Sequence, residues 1–553
     1  MYLTRLPRLT LPALLYLPLI LVLQWICGAY QTGFDGWFDE PRHYVTGLMV
    51  RDYIASLQLA HPLQFAENYY LHYPAVEFGH WPPVFYILQA AWTMFLPVSH
   101  GSMLVFMAVL TTATALLVHR CAEKEMSSVW AWMSGLLFIA LPVTQMYAAM
   151  VMSEMPLALF SVAGLLGIIR YFEKETMGRA AALGLLISIA VLAKPSAWVL
   201  PLTLVLSALL LKEWKRLFSP RLWLAAALVA VLCLPFSVLT LNMVRVGQGQ
   251  AITWSHTWTA LPIYLSELPS MLGIPLLVLA LCGIAVRFFW PLLIGRPLPL
   301  FWTVMAVYLA CVLLFHIVVP TPAVPRKIMM AVPVFALFAV AGVEWMAAVF
   351  PAKLSFRART TAAALVALSA FAVLTFKIPQ RPASWVPEVA RALVSRPDLR
   401  KPVVLVAAQQ IAGGPIDVEP AVIAQIASLE PQRFKRYVLR ASKHLVTGSL
   451  NGVNYHSLFE TAAQVRAALD AIPVSLVLVH SIEGQPELPH QSLLRAMLKE
   501  YSSEWQQVYF ATSSAGRETT EVYRRAGDLD DRPIRLQVHV SGGGLNLTIQ
   551  NGK

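Results

Sequence analysis

Residues 222–241 read LWLAAALVAVLCLPFSVLTL, twenty positions without a charge. At 1.5 Å of rise per residue such a run makes a helix of about 30 Å, the thickness of a bilayer's hydrocarbon core. Immediately before it stand Lys212, Lys215, Arg216 and Arg221, a basic cluster of the kind that stays in the cytoplasm. Working outward, comparable apolar runs recur at about 11–30, 83–97, 101–118, 129–149, 155–171, 180–193, 197–211, 269–287, 298–319, 328–350 and 360–377. The expected fold is a multi-pass α-helical membrane protein of about 11–13 spans. The first run follows Arg5 and Arg8 and reads as an uncleaved anchor, since so many runs follow it. Runs 83–97, 180–193 and 197–211 are short for a full crossing.

Composition agrees. Of 553 residues 58% are apolar and 13% charged, with a mean hydropathy of +0.62, which excludes a wholly soluble enzyme. Residues 1–380 hold 23 Lys+Arg and 14 Asp+Glu; residues 381–553 hold 19 and 16, an ordinary globular density. The chain thus divides into a membrane part, 1–380, and a soluble domain, 381–553. The net charge of +12 lies mostly in short clusters between apolar runs, the mark of loops on anionic lipid and not of a nucleic-acid partner. The five cysteines fall in or beside apolar runs without a CxxC pair, so neither a disulfide framework nor a zinc ribbon is available.

Arg170/Lys174/Arg179, Lys212/Lys215/Arg216/Arg221, Arg287/Arg296 and Lys353/Arg357/Arg359 are separated by two runs each, and so share one side, the cytoplasm. Glu154, Lys194, segments 242–268 and 320–327, and the soluble tail then face outward, placing the protein in the cell (inner or plasma) membrane. One conflict remains. Five runs separate Arg5 and Arg8 from Arg170, an odd number, and Arg120 and Lys124 localise the fault to residues 83–118. The outer loop 31–82 holds six of the fourteen acids of the membrane part. Within it Tyr44, Leu48, Tyr53 and Leu57 have the spacing of an interfacial helix.

In the tail, 401–408, 473–480 and 505–512 read as strands, and 456–472 and 490–501 as amphipathic helices, giving a small α/β domain. Its β-rich end, 526–553, carries RLQVHVSGGGLNLTIQ, a hairpin or a loosely held extension.

Phosphate-binding and metalloprotease motifs (GxxxxGK[ST], HExxH) are missing, and Val246-Gly247-Gln248-Gly249-Gln250 follows no strand, so it reads as a turn in an outer loop. The informative segment is Phe38-Asp39-Glu40-Pro41-Arg42-His43-Tyr44. Adjacent carboxylates beside an apolar interface should have raised pKa values and accept a proton near neutral pH. Alternatively, with Pro41 opening a helix, they cap its N-terminus. Forty residues on, Gly79-His80-Trp81-Pro82-Pro83-Val84-Phe85-Tyr86 leads into the second run.

An outer-loop DE pair followed by a PP[VL]FY approach to the membrane resembles the C-type glycosyltransferase superfamily, in particular its protein O-mannosyltransferase and lipid A aminoarabinose transferase branch. Met152-Ser153-Glu154-Met155-Pro156 stands where that family has a second acid, more often Asp. Leu192-Ala193-Lys194-Pro195-Ser196 matches its "tK" turn, and Pro325-Arg326-Lys327 its "RY…P" approach, with Lys in place of Tyr. The resemblance covers residues 1–380 and leaves the tail unplaced.

What it implies is transfer of a sugar from a polyprenyl-phosphate carrier to a glycan, lipid or protein acceptor on the outer face. Such chemistry needs a base for the acceptor and cations for the departing phosphate. Asp39 would be the base, and Glu40 and Glu154 would shape the site or hold a divalent cation. Lys194, Arg326 and Lys327 would neutralise the phosphate, and Arg42 and His43 would pair with Asp39 or contact it. Against this stand snorkelling for Lys194 and Arg326 and dipole satisfaction for Glu154. His80 and His256 read as interfacial polar residues. Two other classes compete: a non-catalytic scaffold or sensor, and a transporter or flippase. The second should show internal repeats and midplane charges, yet no repeat is seen and only Glu344 lies well inside a run.

Overall fold

The computed structural model describes residues 7–57, 60–77, 79–248, 253–319, 324–349, 378–411, 415–430, 433–447, 455–513, 516–527, 535–539 and 546–550, with scattered positions between 355 and 373. The cluster Lys353/Arg357/Arg359 and, apart from those scattered positions, the run 360–377 therefore lie outside the described residues. The chain is a multi-pass helical membrane protein. Among the described residues seven helices are long and apolar enough to cross: Leu9–Ile26, His100–Glu125, Glu154–Glu173, Pro220–Asn242, Ile274–Leu293, Leu300–Val318 and Arg326–Ala348. The pair Ser128–Ala140 and Pro142–Ala148, bent by 64°, makes an eighth crossing when it is counted as one span. Pro142 causes the bend, because the residue before a proline is pushed out of the helical region and Leu141 sits at φ −58, ψ 128.

The run at 83–97 forms a helix only over Val84–Phe95. Twelve residues span about 18 Å, too little for the hydrocarbon core. Leaving it out gives four crossings before Arg170: α1 (Pro7–Ile26), the helix His100–Glu125, the bent pair, and Glu154–Glu173. An even number removes the conflict over Arg5 and Arg8.

Two further expectations are corrected. The helix from Pro220 continues to Gln248, so Val246 and Gly247 are helical and not turn residues, while Gly249 and Gln250 lie outside the described residues. The helix at the DE pair, α2 (Glu40–Ser56), exists, but Tyr44 and Leu48 are only 1% and 2% exposed. The first half of its apolar side is covered by protein, with Tyr44 stacked on Phe34 at 3.9 Å, while Leu57 at its end is 83% exposed.

Burial orders the bundle. The windows of Arg326–Ala348 and Glu154–Glu173 are 83% and 72% buried and form its centre; Pro220–Asn242 and Ile274–Leu293, each 22% buried, form its lipid-facing rim. Gly283 lets the rim helix touch the central one, since a Cβ there would overlap the carbonyl of Phe338.

The tail holds a five-stranded sheet. In chain order β1 (Val403–Ala407) lies between β2 (Tyr437–Arg440) and β3 (Leu476–Ile482), all parallel; β5 (Glu518–Arg525) runs antiparallel to β3, and β4 (Trp505–Thr512) pairs with β5 at the edge. All five residues of β1 are buried, as a strand covered on both faces requires. Helices form at Ala462–Ala471 and Pro489–Glu500, as the amphipathic pattern indicates. Residues Arg535–His539 and Asn546–Gln550 pair as an antiparallel hairpin. The sheet docks on the outer loop: His72 stacks on Tyr437 at 4.0 Å, Tyr73 Oη donates to Glu430 at 2.6 Å, and Arg433 meets Asp52 at 3.3 Å. Tail and DE segment thus share one side of the bundle.

Candidate active site

Asp39 occupies the N-cap position of α2, yet its carboxylate makes no capping bond. It turns instead to the segment 325–331, where Arg326 Nη1 meets Oδ2 at 2.5 Å. The Arg326 guanidinium lies 5.6 Å and 5.5 Å from the ring centres of Trp37 and Phe38, which hold it by cation–π attraction. Arg42, one helical turn on, stands 3.9 Å from Asp39 Oδ1, donates to the Phe38 carbonyl at 2.6 Å and meets Glu77 at 3.3 Å.

The expectation of a raised carboxyl pKa is overturned at both acids. Burial pushes Asp39 up, but Arg326, His43 and Arg42 together outweigh it, and Asp39 lies below its ordinary value. Burial likewise pushes Glu40 up, and Arg381, His100 and the Val151 N–H bring it below. Both are ionised at neutral pH. His43 is forced down to about 4 by burial and is neutral there.

The two motif pieces meet. His43 Nδ1 pairs with the Tyr86 hydroxyl at 2.9 Å, and its ring lies 4.3 Å from Trp81 and 5.6 Å from Phe85. The PPVFY segment is therefore the wall of the DE site. The short helix Val84–Phe95 gives it that position without crossing the membrane.

Glu154 opens its helix and is fully buried. Lys194, in extended conformation (φ −161, ψ 135) before Pro195, reaches it at 2.6 Å. The second Glu154 oxygen, Oε2, has no hydrogen-bond partner among the described residues. Arg326 feels both Asp39 and Glu154, and Lys194 and Lys327 lie in the same field. Asp39 with Arg326 and Glu154 with Lys194 thus form two neighbouring ion pairs, with Lys327 next to Arg326 in the chain.

Glu40 is elsewhere occupied. Its Oε2 accepts from Gly36 N and its Oε1 from Val151 N, each at 2.8 Å, with Arg381 at 3.4 Å and His100 at 3.8 Å. Arg381 and His100 escaped the sequence reading: neither sits in a motif, and contacts across 341 and 60 positions leave no local signal. Among the described residues no three His, Cys, Asp or Glu converge as metal ligands, so Asp39, Glu40 and Glu154 do not form a metal set. His80 and His256 join neither acid group. Glu344, the one acid well inside a run, is bonded to Arg287.

Comparison with known proteins agrees with the motifs. A family model described as dolichyl-phosphate-mannose-protein mannosyltransferase matches residues 80–239, which include Glu154 and Lys194 but not Asp39 or Arg326. No curated protein matches the chain in sequence. Among solved structures, ArnT from Cupriavidus metallidurans bound to undecaprenyl phosphate is similar at 14% identity and a TM-score of 0.56, over 92% of this chain and 97% of that one. Its apo state is similar at 13% identity and a TM-score of 0.58, with the same coverage of both chains. An oligosaccharyltransferase from Archaeoglobus fulgidus, in complex with Zn and sulfate, is similar at 11% identity and a TM-score of 0.51, over 90% of this chain and 72% of that one. The fold is similar to that of these solved structures, and the family-model match over residues 80–239 agrees with the resemblance read from the motifs.

Proposed function

We propose that the protein is a membrane glycosyltransferase that moves a sugar from a polyprenyl-phosphate carrier to an acceptor on the outer face of the cell membrane. In this reading residues 1–380 are the transferase part and 381–553 an extracytoplasmic α/β domain. The observation that carries it is the two neighbouring ion pairs, Asp39–Arg326 and Glu154–Lys194, beside an aromatic wall. The ArnT structure of the same fold, bound to undecaprenyl phosphate, supports the donor class.

The bond broken joins the sugar's anomeric carbon to the carrier phosphate; the bond formed joins that carbon to the acceptor oxygen. Asp39 takes the acceptor's proton, and the carrier leaves as a polyprenyl phosphate. Arg326, Lys194 and Lys327 neutralise that phosphate, which is where charge builds up. Arg326 has two tasks that compete. While it holds Asp39 it keeps the carboxylate a weak base; a phosphate that draws Arg326 away strengthens the base when donor is present. Glu154 keeps Lys194 charged and placed, and Arg42 and His43 hold the Asp39 segment. A divalent cation, if used, would enter with substrate phosphate, as magnesium commonly does.

The test is to purify the protein, supply polyprenyl-phosphate-linked hexoses and pentoses, and measure free polyprenyl phosphate together with labelled acceptor. Release of the carrier coupled to sugar transfer is the expected result. Absence of transfer from every such donor, with the protein folded, would leave the scaffold reading. Labelling of cysteines introduced in the tail should succeed from outside intact cells; labelling only after permeabilisation would reverse the sidedness.

A further inference from the structure

Arg381 lies just past the run 360–377, at the start of the tail, in a seat cut from the DE loop. Its N–H donates to the Cys27 carbonyl at 2.8 Å. Its own carbonyl lies 2.8 Å from where a Cβ on residue 28 would stand, so Gly28, at φ +79, serves both the turn and the close approach. A Cβ on Gly36 would overlap the Arg381 guanidinium. Glycines at 28 and 36 thus leave room for this residue's backbone and side chain.

The guanidinium joins two segments distant in the chain. One nitrogen stands 3.4 Å from Glu40 Oε2 and 4.0 Å from Asp35 Oδ1; the other donates to the Ala149 carbonyl. Glu40 in turn accepts from Gly36 N and Val151 N. The Glu40–Arg381 pair therefore ties the segment ending in Asp39 to the segment that leads into Glu154. We infer that Arg381 is a positioning residue, a clamp by which the tail fixes the Asp39 and Glu154 segments relative to each other for the transfer proposed above, on which this inference rests.

Physical reasons make the clamp matter. Effective catalysis needs reacting groups held to within fractions of an ångström, and a displacement of about 1 Å can cost on the order of 100-fold. The groups facing Glu40 are Arg381 from the tail, His100 from the helix His100–Glu125, and Asp35 from its own loop. Removing the guanidinium takes away the cation that Glu40 and Asp35 share and the contact by which the tail reaches Glu40 and the Ala149 carbonyl together. Glu40 keeps its two backbone N–H donors but loses its tie to the tail, and both segments loosen together.

The experiment uses the full-length protein in detergent with Arg381→Gln, and Arg381→Lys as the conservative partner that also serves if the first does not fold. Hydrogen exchange should accelerate together in peptides covering residues 36–40 and 150–154 of Arg381→Gln, and less in Arg381→Lys. With a polyprenyl-phosphate sugar donor that the parent accepts, kcat should fall about 10–100-fold while the donor KM stays within about twofold. Unchanged exchange in the two segments overturns the clamp, and so does faster exchange with undiminished kcat. If the parent accepts no polyprenyl-phosphate sugar, the proposed function fails, and the exchange measurement alone decides whether Arg381 ties the segments.

Discussion

Asp39 is held by one long side chain, Arg326 at 2.5 Å, with Arg42 at 3.9 Å. Its neighbour Glu40 is held by two backbone N–H groups at 2.8 Å, a guanidinium and an imidazole. Backbone donors cannot leave without unfolding their segment, whereas a guanidinium at the end of a flexible chain can exchange one anion for another. Neighbouring acids of one dipeptide therefore divide between a carboxylate that a phosphate can release and one that is fixed. That division is what the substitutions below attack.

The largest effect is expected at Asp39. Asp39→Asn keeps the shape and removes the proton acceptor, and transfer should fall by roughly 10²–10⁴. Insertion and folding should survive, with a lowered melting temperature because Arg326 loses its anionic partner. An Asn variant transferring as well as the parent would remove Asp39 as base, and Glu40 would be examined next.

Arg326→Ala follows. A cation aimed at the departing phosphate is worth about 10²–10³ in turnover when its charge is removed. Because the same cation would bind the donor before reaction, KM for the lipid-linked sugar should rise as well. A rise in kcat would mean that Arg326 serves only to restrain Asp39.

Much of this was legible beforehand. The apolar runs located the crossings because a bilayer forces length and composition on each of them. The motif residues Asp39, His43, Tyr86, Glu154, Lys194 and Arg326 stand in short sequence motifs, and the structure brings them to one side of the bundle. Three things were not legible. The failure of 83–97 to cross is decided by where the Pro82-Pro83 helix start and the C-cap at Leu96 fall, and hydropathy alone does not report that. The direction of the carboxyl pKa shifts was misjudged because burial was weighed without the cations that tertiary structure delivers from positions 326 and 381. The strand β5 and the helix Glu419–Leu429 leave no clear pattern, because β5 is mostly polar and the helix is buried on nearly every side.

Glu40→Gln should have the third effect. An amide keeps shape and one acceptor oxygen but loses the ion pair with Arg381. Leaving a buried charged group underpaired costs about 1–3 kcal/mol, so the variant should melt at lower temperature or lower denaturant than the parent. Turnover should fall less than in Asp39→Asn. A Glu40→Gln variant with parental stability and no transfer would exchange the roles of the two acids.

The smallest effect is a pH dependence at His43, the residue that joins the DE segment to the aromatic wall. Its pKa is pushed from 6.5 down to about 4 by burial, so the folded protein holds it neutral while the unfolded chain protonates it near its ordinary value. Stability from this group is therefore complete above about pH 6.5 and is lost as pH falls from there toward 4, since the unfolded state binds the extra proton. Over the single unit from pH 6.5 to 5.5 the slope approaches one proton, or at most about 1.4 kcal/mol. Asp39 and Glu40, whose pKa values are depressed below the ordinary carboxylate range, contribute their losses at lower pH and leave this window clear. Other buried histidines, such as His72 in the outer loop and His480 in the tail, are shifted the same way, so the whole-protein slope does not isolate His43. The difference between parent and His43→Gln does, because the glutamine can still meet the Tyr86 hydroxyl but cannot titrate. Chemical denaturation at pH 6.5 and 5.5 should show the parent losing more stability than the variant; equal losses would mean that His43 binds its proton in the folded state, and that the wall around it admits water.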